Sequence, residues 1–196
     1  MSHNPCRGWL CVAFAVAALT TGAYADDLLI VDLSVTDQVT ISATDGLSAV
    51  STSGSDTTGV YFEDFYGLAG NALAEVLVSG DLTNAANPAD NSPDLFRGGS
   101  GSDPGLNLWS WSTDFDVTFT AGSPAFVGSA TWTLTPVEYA DMLAGASSGN
   151  LYFPADTVDD IANADLLGTY SVIVPEPASL SLLALCLGFG VLRNRR

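Results

Sequence analysis

The chain has 196 residues and a net charge of −17, with 22 acidic residues against five arginines and no lysine. A surface of that sign repels phosphate backbones and anionic headgroups, which excludes nucleic acid as a partner. The one histidine, His3, and the three cysteines, Cys6, Cys11 and Cys186, all fall in terminal segments. The body between them therefore lacks the residues for disulfides, for Ser/His/Asp, Cys/His or Ser/Lys nucleophilic sets, and for ordinary zinc or copper sites.

Residues 1–25 have the pattern of an export signal. Arg7 gives a weakly basic start, Leu10 to Leu19 is an apolar run too short to span a bilayer, and Ala23-Tyr24-Ala25 has the small-x-small form of a cleavage site. Signal peptidase acting after Ala25 leaves Asp26 as the first residue of a single exported domain, 26–173. From Asp26 to Val174 there are 21 acidic residues and one basic residue, Arg97, a net of −20.

Alternation of apolar and polar residues predicts strands through most of this domain. Leu29, Val31, Leu33 and Val35 form one apolar face, and Val39, Ile41 and Ala43 a second. Asp45-Gly46 predicts a hairpin turn, with Leu47 to Val50 returning. Ser51 to Thr58 reads as a loop without packing potential. Val60 to Tyr66 and Leu73 to Ser79 read as strands, and Asp81 to Gly105 as a long polar loop broken only by Leu95-Phe96-Arg97. Strands then follow at Leu106 to Trp111, Asp114 to Thr120 and Phe126 to Thr135, the last two as a second hairpin. Thr135-Pro136-Val137-Glu138 is a capping box with proline at the first helical position, and it predicts one short helix ending near Ala144. Leu151 to Phe153 is a brief strand, Asp156 to Asp165 an acidic loop or single helical turn, and Thr169 to Val174 a final strand. The sum is an all-β domain, an antiparallel β-sandwich of jelly-roll type with one short helix, flanked by a signal helix and a C-terminal transmembrane helix. An outer-membrane barrel is disfavoured, because acidic, Ser-rich strands do not make a lipid-facing surface.

Carboxylate chemistry and metals that take oxygen ligands remain. Glycoside hydrolysis needs two carboxylates about 5–10 Å apart. Glu63, Asp64, Glu75 and Glu138 are the candidates, but no spacing singles out a pair, and no catalytic residue is assigned. Ca²⁺ is compatible with Asp90, Asp94 and Asp103 and with Asp156, Asp159 and Asp160. None of these has the spaced pattern of a helix–loop–helix calcium site, so solvated loop acids are the simpler reading and no metal site or cofactor is assigned. Trp109 and Trp111, at strand spacing, leave one face and could stack on sugar rings, although paired tryptophans are more often core. Tyr61, Phe62, Phe65 and Tyr66 are read in the same way.

The last segment, 174–196, has three ordered parts. Pro175-Glu176-Pro177 breaks regular structure, Ala178 to Leu192 carries no charge, and Arg193, Arg195 and Arg196 form a basic end. Fifteen helical residues reach about 22 Å, short of a bilayer core. The arginines would hold the far end in the cytoplasm. This segment resembles the PEP-CTERM sorting tail of exported proteins in Gram-negative bacteria. The resemblance implies recognition by an exosortase-type membrane transpeptidase, passage through an inner-membrane intermediate, and delivery to the cell envelope or extracellular matrix among exopolysaccharides. A plain uncleaved anchor is the alternative. The expected function is a non-enzymatic envelope or matrix protein with polysaccharide as its partner. The runner-up is a small secreted carbohydrate-active protein that binds glycans or hydrolyses them with two carboxylates.

Overall fold

A computed structural model describes residues 25–67 and 72–174. Ala23, Pro175, Glu176, Pro177, the apolar run and Arg193, Arg195 and Arg196 lie outside the described residues. Ala25 lies just inside them, half-buried, one residue before the fold takes hold. Asp26 already accepts hydrogen bonds from Thr169 N (2.8 Å) and Leu47 N (2.8 Å), the first on its carbonyl and the second on Oδ2.

The elements in chain order are β1 (Asp27–Asp32), β2 (Gln38–Ala43), β3 (Thr52–Ser55), β4 (Val60–Phe62), β5 (Val76–Gly80), β6 (Thr83–Asn84), β7 (Asp94–Phe96), the kinked turn α1 (Gly98–Gly101), β8 (Leu106–Trp109), β9 (Asp116–Phe119), β10 (Phe126–Val127), β11 (Ser129–Thr133), α2 (Pro136–Leu143), β12 (Ser148–Phe153), a 3₁₀ helix (Val158–Asn163) and β13 (Asp165–Ile173). Nine strands form one sheet in the order β5-β11-β2-β1-β13-β12-β4-β8-β7, and two small ribbons, β10-β6 and β3-β9, pack beside it. The sheet curls until its edges approach each other. Glu75, at the head of β5, accepts a hydrogen bond from Leu95 N of β7 at 3.0 Å.

The alternation pattern sets the faces of this sheet. Leu29, Val31 and Leu33 of the first strand and its exit, Val39 and Ile41 of β2, Ala130 and Trp132 of β11, and Tyr170 of β13 all turn into one core. Burying each large side chain contributes about 1.5–3 kcal/mol, the main stabilising term of the domain. The helix α2 forms where predicted. Thr135 N donates to Glu138 Oε2 (2.7 Å), Glu138 N donates to Thr135 Oγ1 (3.4 Å), and the Tyr139 hydroxyl donates to Leu33 O (2.6 Å), tying the helix to the end of β1.

The domain is mostly β, as expected, but the sheet is mixed rather than purely antiparallel: β1 and β13 run parallel, from Asp27 opposite Thr169 to Asp32 opposite Ile173. Neither predicted hairpin forms. The edges of β2 are taken by β1 and β11, so residues after Asp45-Gly46 have no ladder to join, and Leu47 makes only an isolated bridge to Pro124. The strand β9 pairs instead with β3, inside the Ser/Thr/Gly run read as a loop, while β11 pairs with β2 and β5. Gly128, at φ 80°, breaks Phe126 to Thr135 into β10 and β11. The long loop also contains β6, β7 and α1.

Candidate functional site

Several buried polar groups, Arg97, Asp103 and Asn107 among them, gather around β7, β8 and the 3₁₀ helix. Arg97, which the sequence reading set in the break of the long polar loop, is 3% exposed. Its Nε donates to Asp103 O at 2.9 Å, its Nη1 lies 3.4 Å from Asp141 Oδ2, and its guanidinium stands 3.7 Å over the Tyr66 ring. A guanidinium this close over an aromatic face makes a cation–π contact, which is stronger away from water.

Asp103 joins this knot from the other side. Its Oδ1 accepts from the Tyr61 hydroxyl (2.5 Å) and Gly105 N (2.8 Å), and its Oδ2 accepts from Val158 N (3.0 Å). Burial and the Asp103 carboxylate push the Tyr61 phenol far up, so it stays a donor at any physiological pH. Gly105 is required here, because a Cβ would fall 2.0 Å from the Tyr61 ring. The two acidic loops singled out by the sequence therefore do meet, at Asp103 and Val158, but Asp103 is already filled by hydrogen-bond donors. Asp94 and Asp159 are exposed. Among the described residues no three carboxylates converge closely enough to hold a metal by themselves.

Asp156 and Asp160 form a coupled pair. The hydrogen bond to Asp160, then desolvation, then the Asp160 charge push the Asp156 carboxyl up to about 6, while Asp160 is held below the usual range. Asp160 Oδ2 also caps the 3₁₀ helix, accepting from Thr157 N and Thr157 Oγ1, both at 3.3 Å.

Each candidate glutamate is engaged by groups of the fold. Glu138 is buried and accepts from Thr135 N, Thr135 Oγ1 and Ala74 N. Glu75 holds the sheet edges together through Leu95 N, and burial, assisted by Asp94 and Glu138, raises its carboxyl. Glu63 Oε2 accepts from Asn150 Nδ2 at 2.7 Å, and Asp64, at φ 53°, turns the chain after β4.

The tryptophans separate. Ser110 has φ 58°, which ends β8 and breaks the strand spacing. Trp111 is 2% exposed and belongs to the core, together with Phe62, Phe65 and Tyr66. Trp109 is half-buried, donates from Nε1 to Thr57 O at 2.6 Å, and packs beside Phe96, with centroids 5.8 Å apart and planes at 37°. Phe96 is 40% exposed, and the sequence reading passed over it. Its signal was present: Leu95-Phe96-Arg97 is the one apolar interruption of the acidic loop, and one of its residues had to be core.

What this fold and its polar centres define is an acidic, all-β domain whose buried chemistry is made of carboxylates, phenols and a single guanidinium. No family model, curated protein or solved structure matches the chain, so its function is read from its own residues.

Proposed function

We propose that the chain is an exported, non-enzymatic protein of the cell envelope or extracellular matrix, sorted through Pro175-Glu176-Pro177, the apolar run and the terminal arginines. The observation that carries the non-enzymatic reading is the state of the internal acids. Glu63, Glu75 and Glu138 each hold a hydrogen bond of the fold, and acids committed in this way are poorly placed to exchange protons with a substrate. In this reading the body is a β-sandwich. The ribbons supply part of its second layer: Phe119 of β9 packs on Phe126 of β10 (5.4 Å) and on Phe153 of β12 (5.0 Å). Exosortase-type cleavage delivers the body to a polysaccharide-rich exterior, where a net charge of −20 keeps it dispersed.

The test is intact mass and cell fractionation from the native host, with and without Pro175-Glu176-Pro177. A species beginning at Asp26, cut near the motif and recovered outside the inner membrane, is the expected result. A full-length C-terminus retained in the inner membrane whether or not the motif is present overturns sorting.

Phe96, exposed beside the half-buried Trp109, favours a second reading in which the protein contacts glycan directly, since aromatic faces pack on pyranose rings. Loss of exopolysaccharide retention in Phe96→Ala, with an unchanged melting temperature, would favour it over a purely structural role.

A further inference from the structure

The segment Asn84–Asp90 faces the turn Ser112–Asp116 across a cavity of about 300 Å³ lined by Asn84, Asn87, Asp90, Asp114, Asp116 and Thr118 among others. Three of these side chains are carboxylates, and the only basic residue of the body, Arg97, is engaged elsewhere, at Asp103 and Asp141.

Asp90 is the unusual member. It is 8% exposed, and its two oxygens are treated differently. Oδ1 accepts three hydrogen bonds, from Asn87 Nδ2 (2.9 Å), Thr113 N (3.1 Å) and Thr113 Oγ1 (3.1 Å). Oδ2 is buried and accepts none. A buried carboxylate oxygen without a donor carries a desolvation cost that nothing offsets, and three donors on its twin hold the group in place. Asp56, 1% exposed, grips the same turn: Oδ2 accepts from Ser112 N (2.9 Å), and Oδ1 is buried without a partner. Two half-satisfied carboxylates thus hold adjacent residues of one turn, with Asp114 and Asp116 exposed beside them.

We propose that this cavity binds a divalent, oxygen-seeking cation, Ca²⁺, with Asp90 Oδ2 as its innermost ligand and a carboxylate of Asp114 or Asp116 opposite. Asn87 gives its amide N–H to Asp90, which leaves its carbonyl oxygen as a further ligand. Backbone carbonyls and water complete the six to eight oxygens that Ca²⁺ takes at variable geometry, whereas Mg²⁺ demands a near-ideal octahedron. Because no three carboxylates converge, the site has few charges, and its affinity falls in the range of about 0.1–1 mM typical of extracellular modules. Such a site fills outside the cell and empties inside it.

The test is a melting series of the purified full-length chain titrated with CaCl₂ through the millimolar range, alongside terbium luminescence sensitised by the protein's tryptophans. A saturable rise in melting temperature is expected with CaCl₂. MgCl₂, or NaCl at matched ionic strength, should give a much smaller one. Asp90→Asn should weaken binding at least about tenfold. If that buried variant does not fold, the exposed double variant Asp114→Asn/Asp116→Asn serves: it should lose the calcium response while melting no lower than the parent in EDTA. Equal shifts with NaCl or MgCl₂, an undiminished calcium response in either variant, or terbium luminescence that calcium does not displace would each overturn the proposal.

Discussion

The strands β1, β2, β11 and β13 and the connections around Arg97 and Asp103 are buried to the same degree by different means. In the strands, Val31, Ile41, Trp132 and Tyr170 are fully enclosed among apolar neighbours. The attraction there is proportional to area and indifferent to direction. In the connections, Arg97 and Asp103 are enclosed at 3% and 7% exposure, and particular donors and acceptors face each of them. The first region tolerates a change of shape better than a loss of volume. The second tolerates neither the loss of a single hydroxyl nor the gain of a methyl group.

Four substitutions sharpen that contrast. Trp132→Ala empties the core against β11, one strand in from the edge of the large sheet, and should cost about 3–5 kcal/mol, read as a lower urea midpoint with unchanged slope. Tyr61→Phe is nearly isosteric but removes a donor from buried Asp103. It should cost about 1–3 kcal/mol in the same assay, and a neutral result would mean that the polar knot is not cooperative. Ile41→Val, a comparable trimming in the strands, should cost about 0.5–1.5 kcal/mol. The fourth is a change of slope. The folded-state carboxyl of Asp156 lies above its unfolded value, so the native state holds the extra proton. This contribution is complete below about pH 4 and is lost as pH rises through about 6. Asp156→Asn, whose amide hydrogen bonds to Asp160 at every pH, should flatten the dependence of melting temperature on pH between those limits. An unchanged profile would remove the pair as its source.

The same contrast decides what could be read from the amino-acid order. Leu29, Val31, Leu33, Val39, Ile41, Ala130 and Trp132 announced their faces because alternation is local, and so did the Thr135/Glu138 cap. Pairing was not local. The strand β3 is Ser, Gly and Thr with no apolar face, and only β9, more than sixty residues on, makes it a strand. The parallel partner of β1 lies at the far end of the body. The acids were legible as a class but not as individuals. Asp90 depends on Thr113, and Asp103 on Tyr61 and Val158, so nothing near either aspartate marks it as buried while Asp94 and Asp159 stay in water. The Trp109 and Trp111 spacing misled because Ser110 adopts a left-handed conformation, which is uncommon in residues other than glycine.

The parallel pairing of β1 with β13 has a mechanical consequence. The chain enters β1 from Asp26, beside Thr169, and leaves β13 at Val174, beyond the rung of Asp32 and Ile173. Entry and exit therefore sit at opposite ends of two neighbouring strands, about 16–20 Å apart at 3.3 Å per residue. Tension between the two ends of the body runs along these strands rather than across them. Every hydrogen bond from Asp27 to Asp32 shares the load and must yield together, whereas an antiparallel pair would open one rung at a time. A protein held by one end and pulled from the other would load this seam in shear, along the strands.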